Sequence, residues 1–270
     1  MQLSLVTAMR SVAGPYRSDN QDSLGCSTEY VFVADGVGGH VGGDVASWTI
    51  SHRLMAGLAP STARTLSNDE LRSLVAVANA ELRLRSDREP ALTGMSTTFT
   101  GIFCADDAVR IVHIGDSRAY LVQDGNGRRM TRDDSLVQML VDSGAIDDVD
   151  APHHPQRNII LRSLAGARAD ADGLTVLSVP ARVGDRWLVC SDGLTDYVDE
   201  QELLAILAAA QTPEEAADAL IEAAAAADSH DNVSVAVSEV VPADETEARP
   251  YRYLGAAAAP DKGAIADLCT

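Results

Sequence analysis

The chain has 270 residues, of which 46% are hydrophobic and only 4% aromatic, and its formal net charge is −19. This length and composition suit a globular protein with an aliphatic core. They exclude a chain disordered throughout and a mini-protein that depends on disulfides. The acidic balance disfavours nucleic acid and anionic membranes as partners, because both would repel it. Most acidic residues are expected on the solvated surface, although some could hold cations.

The cysteines lie far apart and form no Cys-x-x-Cys pair, which argues against a zinc knuckle or a redox-active dithiol. They are Cys26, Cys104, Cys190 and Cys269. No apolar stretch approaches the roughly 20 residues of a membrane-spanning helix, and the amino terminus lacks a signal-peptide pattern. We therefore predict reduced, mostly buried thiols and a cytoplasmic location.

Short apolar runs, many of them bounded by Gly, Asp or Asn, predict β-strands. The runs span residues 2–9, 30–34, 97–104, 108–114, 118–122, 174–179, 185–190 and 232–240. Helices are predicted between groups of strands, over residues 43–58, the segment that follows Ser67, 199–210 and 213–227. Grouped helices and grouped strands favour an α+β fold of antiparallel sheets with helices packed outside.

Two of these helices carry start signals. Ser67 and Glu70 form a capping box ahead of apolar residues at helical spacing. Thr212 and Glu215 have the same capping-box spacing, and Pro213 stands at the first helical position.

The last 30 residues differ in composition from the rest of the chain. Beyond about residue 241 the sequence is rich in Pro, Ala, Glu and Gly and shows no hydrophobic periodicity. We predict one functional domain over residues 1–240 and a flexible carboxyl-terminal tail over residues 241–270.

The stretch YVFVADGVGGHVGGD is the most informative, because an apolar run ends at Asp35 and glycines follow at once. The glycines are Gly36, Gly38, Gly39, Gly42 and Gly43. They let the backbone bend sharply and approach a ligand or ion closely. A metal site is one explanation. An ordinary turn is the other, since Asp-Gly is a common turn signal that also occurs at Asp124 and Asp172.

Nucleotide binding is a poor explanation for these glycines. Val41 occupies the position of the third glycine of a dinucleotide motif, and the sequence contains no Gly-Lys-Ser/Thr phosphate loop.

Other aspartates also stand at strand ends. Asp192 closes the run RWLVCSDG and Asp231 opens DNVSVAV. If these strands are neighbours of the one that ends at Asp35, three negative charges converge, which is unfavourable unless protons or cations neutralise them. Oxygen ligands select hard cations such as Mg²⁺ or Mn²⁺. Asp116, in IGDSRAY, is a fourth candidate, and a hairpin turn is an equally good explanation for it.

Arg17 lies five residues before Asp22 in RSDNQD. A guanidinium binds phosphate oxygens bidentately, so an arginine beside a metal cluster would orient a phosphate monoester. A surface ion pair is the alternative for Arg17.

Seven segments spread over about residues 10–237 resemble, in order, the motifs of the metal-dependent protein serine/threonine phosphatases, also called protein phosphatase type 2C. The resemblance is strongest to bacterial members. The segments are RSDNQD, VADGVGGH, GMSTTFTG, IGDSRAYL, HPQRNIILRSLAG, CSDGLTD and DNVSV. The resemblance implies a central sandwich of two antiparallel sheets flanked by helix pairs. It also implies a flap over about residues 141–162, beside the active site.

The resemblance further implies a site for two Mn²⁺ or Mg²⁺ ions. Its ligands would be Asp35, the carbonyl of Gly36, Asp192 and Asp231. Asp116 would join Asp192 in a third, weaker metal site, Asp22 would order metal-bound water, and Arg17 would bind the phosphate. The implied reaction is hydrolysis of phosphoserine and phosphothreonine in proteins by a metal-bridging hydroxide, with no covalent intermediate.

Some residues receive no catalytic role. The spacing of Ser96, Ser117 and Ser191 supports no Ser-His-Asp triad, so they are predicted to be structural, as are the cysteines. Val37 stands where animal members carry a histidine proposed as general acid, and Asp134 replaces a histidine near the flap. The general acid is therefore unassigned, and His40, His153 and His154 are not proposed for it.

Phosphorylated proteins, and by analogy a serine/threonine kinase and its substrates, are the implied partners of a monomer. Two other functions remain open. One is a catalytically silent module that binds phosphoproteins or a kinase, and the other is a small-molecule phosphomonoesterase.

Overall fold

The computed structural model describes residues 2–37, 42–58, 63–243 and 251–259. The sequence interpretations of Gly38, Gly39, His40, Val41 and Cys269 concern residues outside these ranges. Among the helices within them, none is both long and apolar enough to cross a lipid bilayer.

Two large antiparallel sheets and one small one form the framework. The five-stranded sheet has the order β1 (Leu3–Val12), β12 (Val233–Pro242), β11 (Arg186–Cys190), β8 (Arg118–Gln123) and β9 (Asn126–Arg129). The six-stranded sheet has the order β10 (Thr175–Pro180), β7 (Ala108–Ile114), β6 (Phe99–Cys104), β3 (Tyr30–Ala34), β2 (Ser23–Cys26) and β13 (Arg252–Gly255). The small sheet pairs β4 (Gly36–Val37) with β5 (Ser96–Thr97). All the strand pairs are antiparallel, as the sequence predicts.

Within the described residues, five helices pack on the outer faces of the two large sheets. They are α1 (Gly43–Gly57), α2 (Asn68–Arg88), α4 (Asp192–Thr195), α5 (Glu200–Ala209) and α6 (Pro213–Ala226). A further helix, α3 (Leu136–Asp142), lies between β9 and β10 and contacts the 3-10 turn Asp148–His153. The capping box of Ser67 and Glu70 is formed at the start of α2, and the Thr212 side chain accepts the Glu215 N–H at the start of α6. The predicted α+β fold is confirmed.

Side chains alternate between the two faces of each strand, so that helices and sheets stack in four layers. In β3, Tyr30 and Phe32 pack with the apolar faces of α1 and α2, while Val31 and Val33 face the five-stranded sheet. A third apolar cluster joins α5 and α6 to the outer face of the five-stranded sheet. Because both faces of the central strands are covered, they are continuous apolar runs in the sequence, which is why they were recognisable.

The prediction of a flexible tail is wrong for residues 241–243 and 251–259, the part of the tail that the structure describes. β12 continues to Pro242, and residues 251–259 form β13 and a 3-10 turn, Ala256–Ala258. The four-residue strand pairs with β2, which is distant in sequence, so neither strand has a local pattern long enough to reveal it. The carboxyl-terminal limit of the functional domain is therefore a proposal.

Candidate metal centre

Asp22 and Asp35 lie at the same edge of the six-stranded sheet. Ser23 pairs with Ala34 in the β2–β3 ladder, so the next residue outward on each strand is an aspartate. Asp22 precedes β2 and Asp35 follows β3, which places the two carboxylates side by side although they are 13 positions apart.

The five-stranded sheet brings its aspartates to the facing edge. Cys190 pairs with Arg118 in the β11–β8 ladder, so two residues beyond that pair Asp192 and Asp116 lie opposite each other. Asp231 lies two residues before the start of β12, the other neighbour of β11. The predicted convergence of strand-end aspartates is therefore observed, with members supplied by both sheets.

Glycines let the loops at this edge approach one another. A Cβ on Gly36 would lie 2.3 Å from the carbonyl oxygen of Gly43, where α1 begins. A Cβ on Gly193 would lie 2.0 Å from the carbonyl oxygen of Asn232. Any side chain at these two positions would push the aspartate-bearing loops apart, since real Cβ atoms do not approach so closely.

Burial and mutual repulsion disfavour the charged forms of these aspartates. Burial, and after it the charges of Asp192 and Asp231, raises the pKa of Asp22 to about 7. The pKa of Asp116 also rises to about 7, chiefly because the group is buried. The pKa values of Asp35 and Asp192 rise well above the usual range through burial and the charges of neighbouring aspartates. Such a cluster needs protons or cations to neutralise it.

The donor set fits hard divalent cations. Within the described residues, the buried oxygens Asp22 Oδ1 and Asp116 Oδ1 have no hydrogen-bond partner. The carboxyl groups of Asp35 and Asp192 lie close enough for each to influence the pKa of the other. No three acidic, histidine or cysteine side chains in the described ranges already form a metal-ligand group. Asp22 and Asp116 thus each offer a buried oxygen without a partner among the described residues, and a cation bound here would compete with the protons that the raised pKa values favour.

Asp22 is held by polar groups that have no catalytic role in the sequence interpretation. Ser191 Oγ donates to Asp22 Oδ2 at 2.8 Å, and the Asp22 N–H donates to Asn20 Oδ1 at 3.0 Å. The Asn232 amide donates to the carbonyls of Ala13 and Asp19 at 2.8 and 2.9 Å. Ser191, which the sequence predicts to be structural, thus hydrogen-bonds a candidate site residue.

Arg17 lies at the rim of the site as half of an ion pair. Its Nη2 donates to Asp231 Oδ2 at 2.7 Å and its Nε donates to the carbonyl oxygen of His230 at 3.3 Å. The Arg17 side chain is 40% exposed. The ion pair is the alternative that the sequence left open, and it sets the guanidinium directly beside the aspartate cluster.

The segment predicted as a flap begins at the carboxyl end of α3 and includes a 3-10 turn, Asp148–His153. The Leu136 N–H donates to the carbonyl of Ile159 at 2.8 Å, which closes the base of the segment. Asp134 accepts hydrogen bonds from the Gly115 N–H and from Arg162, so it ties this base to the Asp116 loop. The functional role of the flap stays a prediction.

A cavity of about 430 Å³ lies between the flap and the start of α5, with Asp116 and Asp192 in its wall. Asp196 also lines it and forms an ion pair with Arg157 of the flap, Nε to Oδ2, at 3.4 Å. The sequence interpretation missed Asp196. Its spacing of four from Asp192, which places both on one face of a helical turn, was the available signal.

The other nucleophilic groups stand apart from this chemistry. Cys26, Cys104 and Cys190 are buried, as predicted, and burial raises the pKa of Cys104 and Cys190 to about 12. His154 Nδ1 accepts the Gln156 N–H at 3.2 Å within the flap. Burial keeps the Cys104 and Cys190 thiols neutral, so neither supplies a thiolate nucleophile.

The raised pKa values predict how metal-free stability depends on pH. Asp22 and Asp116 titrate near pH 4 when unfolded and near 7 when folded, so the folded state binds more protons between these values. Stability should therefore fall as the pH rises from about 4 to about 7, by up to about 1.4 kcal/mol per pH unit for each group. Urea unfolding in EDTA across this range measures the slope.

The Asp116→Asn variant is the control for this slope, because it removes one titrating group. Its stability should fall less steeply with pH than that of the wild type. Identical slopes for the two proteins would contradict the assigned titration.

The fold and the site define a class of protein: an α+β sandwich with a cluster of buried carboxylates at the joint edge of its sheets, suited to divalent cations. Residues 17–223 match the model of the family described as protein phosphatase 2C. The chain belongs to this family, which confirms the resemblance inferred from its motifs.

The chain is similar to curated serine/threonine phosphatases of bacteria. It is 40% identical over 253 residues to the serine/threonine protein phosphatase PstP of Mycobacterium tuberculosis, an alignment that covers 92% of this chain and 47% of PstP. It is 38% identical over 239 residues to the serine/threonine phosphatase stp of Listeria monocytogenes, covering 85% and 94% of the two chains. The chain thus spans about half the length of the mycobacterial relative and nearly all of the Listeria one.

Solved structures agree in fold. The catalytic domain of PstP in complex with two manganese ions superposes with a TM-score of 0.81 at 38% identity, covering 89% of this chain and all of that one. Stp1 from Staphylococcus aureus gives a TM-score of 0.80 at 28% identity, covering 90% and 98% of the two chains.

Proposed function

We propose that this domain hydrolyses phosphoserine and phosphothreonine in proteins with the help of two Mn²⁺ or Mg²⁺ ions. The observation that carries the proposal is the convergence of buried aspartates from both sheets, with raised pKa values and unpartnered oxygens, in a chain of the protein phosphatase 2C family. A relative that holds two manganese ions in the same fold supports the choice of metal.

The proposed ligands are Asp35, the carbonyl of Gly36, Asp192 and Asp231. When bound, the cations would lower the pKa of water toward 7 and supply a nucleophile at neutral pH. Asp22 would then accept a hydrogen bond from that water, because Ser191 satisfies only one of its carboxylate oxygens. We further propose a third, weaker cation site between Asp116 and Asp192.

The protein's own cationic group for the substrate is Arg17. Its ion pair with Asp231 holds the guanidinium at the rim, where it can bind two oxygens of a phosphate monoester. A direct displacement of this kind needs no covalent phosphoenzyme, so no nucleophilic serine or cysteine takes part.

The proposal also covers the substrates, partners, location and extent of the domain. Phosphorylated proteins are the proposed substrates, with a serine/threonine kinase and its targets as partners. We propose that the domain acts as a monomer in the cytoplasm and that the segment around 141–162 helps to select substrates as a flap. We also propose that the functional domain includes residues 251–259 rather than ending at 240.

Turnover of a phosphothreonine peptide and of p-nitrophenyl phosphate, with Mn²⁺ and in EDTA, tests the proposal. We expect Mn²⁺-dependent turnover with the higher kcat/KM on the peptide. A higher kcat/KM on the small aryl phosphate would favour a small-molecule phosphomonoesterase. Peptide binding in calorimetry without Mn²⁺ binding or turnover would establish the catalytically silent module instead.

A further inference from the structure

Residues 251–259, here called the strap, add an edge strand to the six-stranded sheet beside the site. β13 pairs with β2 over its four residues, and Gly255 pairs with Ser23, the residue that follows Asp22. Arg252 Nη2 donates to the carbonyl of Thr7 at 2.5 Å, which fastens the strap to β1 as well. The strap lies beyond residues 17–223, the part of the chain that the family model matches.

The strap contacts the main chain of Asp22 directly. The Ala256 N–H donates to the Asp22 carbonyl oxygen at 2.6 Å. Gly255 has φ +66°, and a Cβ there would lie 2.1 Å from the same oxygen and 3.0 Å from the carbonyl carbon. Only glycine allows this approach, because any other residue would be strained and would displace the Asp22 peptide.

Helix α1 holds the strap and the Asp22 segment in one assembly. The rings of His52 and Tyr253 stack at 4.3 Å, and His52 Nε2 is 2.9 Å from the carbonyl oxygen of Ala257. On the same helix, Ser47 Oγ donates to the carbonyl of Gln21 at 2.5 Å. The two peptides that flank the Cα of Asp22 are therefore fixed, one by α1 and the other by the strap.

We propose that the strap is a positioning element for Asp22, with Gly255 and Ala256 as its positioning residues. By fixing the Asp22 carbonyl, the strap fixes the direction of the side chain, whose buried Oδ1 has no partner among the described residues and lies in the carboxylate cluster. Displacing the strap would let Asp22 turn away and would weaken cation binding at the site. This inference rests on the proposed metal-dependent function.

The matched variants Gly255→Ala and Gly184→Ala test this role. Gly184 also has a positive φ, +90°, but a Cβ there meets nothing within 4 Å, so the two substitutions share backbone strain and differ in the contact with Asp22. Calorimetric titration with Mn²⁺ in the absence of substrate gives the Kd. We expect Gly255→Ala to raise it about tenfold or more, as loss of a group that orients a metal site does, and Gly184→Ala to leave it within twofold.

A purely structural role would give a different pattern. Gly255→Ala would then lower the unfolding midpoint in EDTA while the folded protein kept the wild-type Kd, and this result would overturn the proposal.

If Gly255→Ala does not fold, Tyr253→Ala removes the stack on His52 without touching the Asp22 peptide. We expect a smaller rise in Kd, about threefold, and a wild-type Kd would again contradict the role. Wild-type protein that binds no Mn²⁺ would instead refute the proposed function itself.

Discussion

Replacing Asp192 with asparagine should lower the rate of phosphopeptide hydrolysis by about 10³-fold or more and abolish Mn²⁺ binding measurable by calorimetry. Asp192 lies at the joint edge of the two sheets, where the charges of Asp35 and Asp116 raise its pKa, and an amide keeps its size but loses its charge. Cations supply several kcal/mol of charge stabilisation in such reactions, which corresponds to about this loss in rate.

The same substitution should stabilise the protein when no metal is present. Burial and the charges of neighbouring aspartates oppose ionisation of Asp192, so the neutral side chain removes an unfavourable group. The unfolding midpoint in EDTA at pH 7.5 should therefore rise while activity disappears. A variant that loses both stability and activity would indicate damage to the fold rather than loss of a ligand.

Asp124→Asn is the matched control for Asp192→Asn. Asp124 also precedes a glycine, but it lies in the turn between β8 and β9, where its positive φ of 51° suits asparagine as well. We expect wild-type rates and Mn²⁺ affinity. Full activity in Asp192→Asn, or an equal loss in both variants, would contradict the assignment of the site.

The Arg17→Ala variant should lower kcat/KM for the phosphothreonine peptide by about 10²-fold. Each hydrogen bond from a guanidinium to a phosphate oxygen contributes about 1.5–3 kcal/mol, and the bidentate geometry provides two of them. Steady-state kinetics at saturating Mn²⁺ measure the effect. Arg17→Lys should recover only part of the loss, because an ammonium cannot bind two oxygens in a fixed plane.

Direct Mn²⁺ titration separates substrate binding from support of the metal site. Arg17 neutralises Asp231 in the structure, so its removal should leave the affinity for Mn²⁺ unchanged or increased. A large loss of Mn²⁺ affinity in Arg17→Ala would mean that the arginine positions Asp231 and does not act on the phosphate.

Long apolar runs and caps were sufficient to predict the central strands and the main helices. β3, β7 and β11 are buried on both faces, so their sequences are nearly uniform in hydrophobicity, and the flanking aspartates mark their ends. Ser67 and Thr212 fix two helix starts through local hydrogen bonds alone. These features depend on near neighbours, which a single sequence contains.

Elements that depend on distant partners could not be predicted. β2 is four residues long, and β13 lies in a segment whose composition is typical of a flexible tail. Their pairing comes from residues more than 200 positions apart, which no local pattern records. Because their partners are also distant in sequence, the contact between Ala256 and Asp22 and the hydrogen bond from Ser191 to Asp22 could not be predicted.

The sequence identified the charged residues of the site better than it predicted their arrangement. Strand ends place Asp35, Asp192 and Asp231 near a common edge once the strands are known to be neighbours, and motif order supplied that knowledge through the resemblance. The ion pair of Arg17 with Asp231 depends on side-chain geometry across 214 positions, and the sequence could offer it only as an alternative.

A crystal structure of the protein grown with Mn²⁺, with metal positions taken from anomalous scattering at the manganese edge, tests the central claim most directly. We expect two ions about 3.5–4 Å apart at the joint edge of the sheets, with Asp35, the Gly36 carbonyl, Asp192 and Asp231 as ligands. Anomalous peaks confined to other parts of the surface, with none among these aspartates and Asp231 still paired to Arg17, would contradict it.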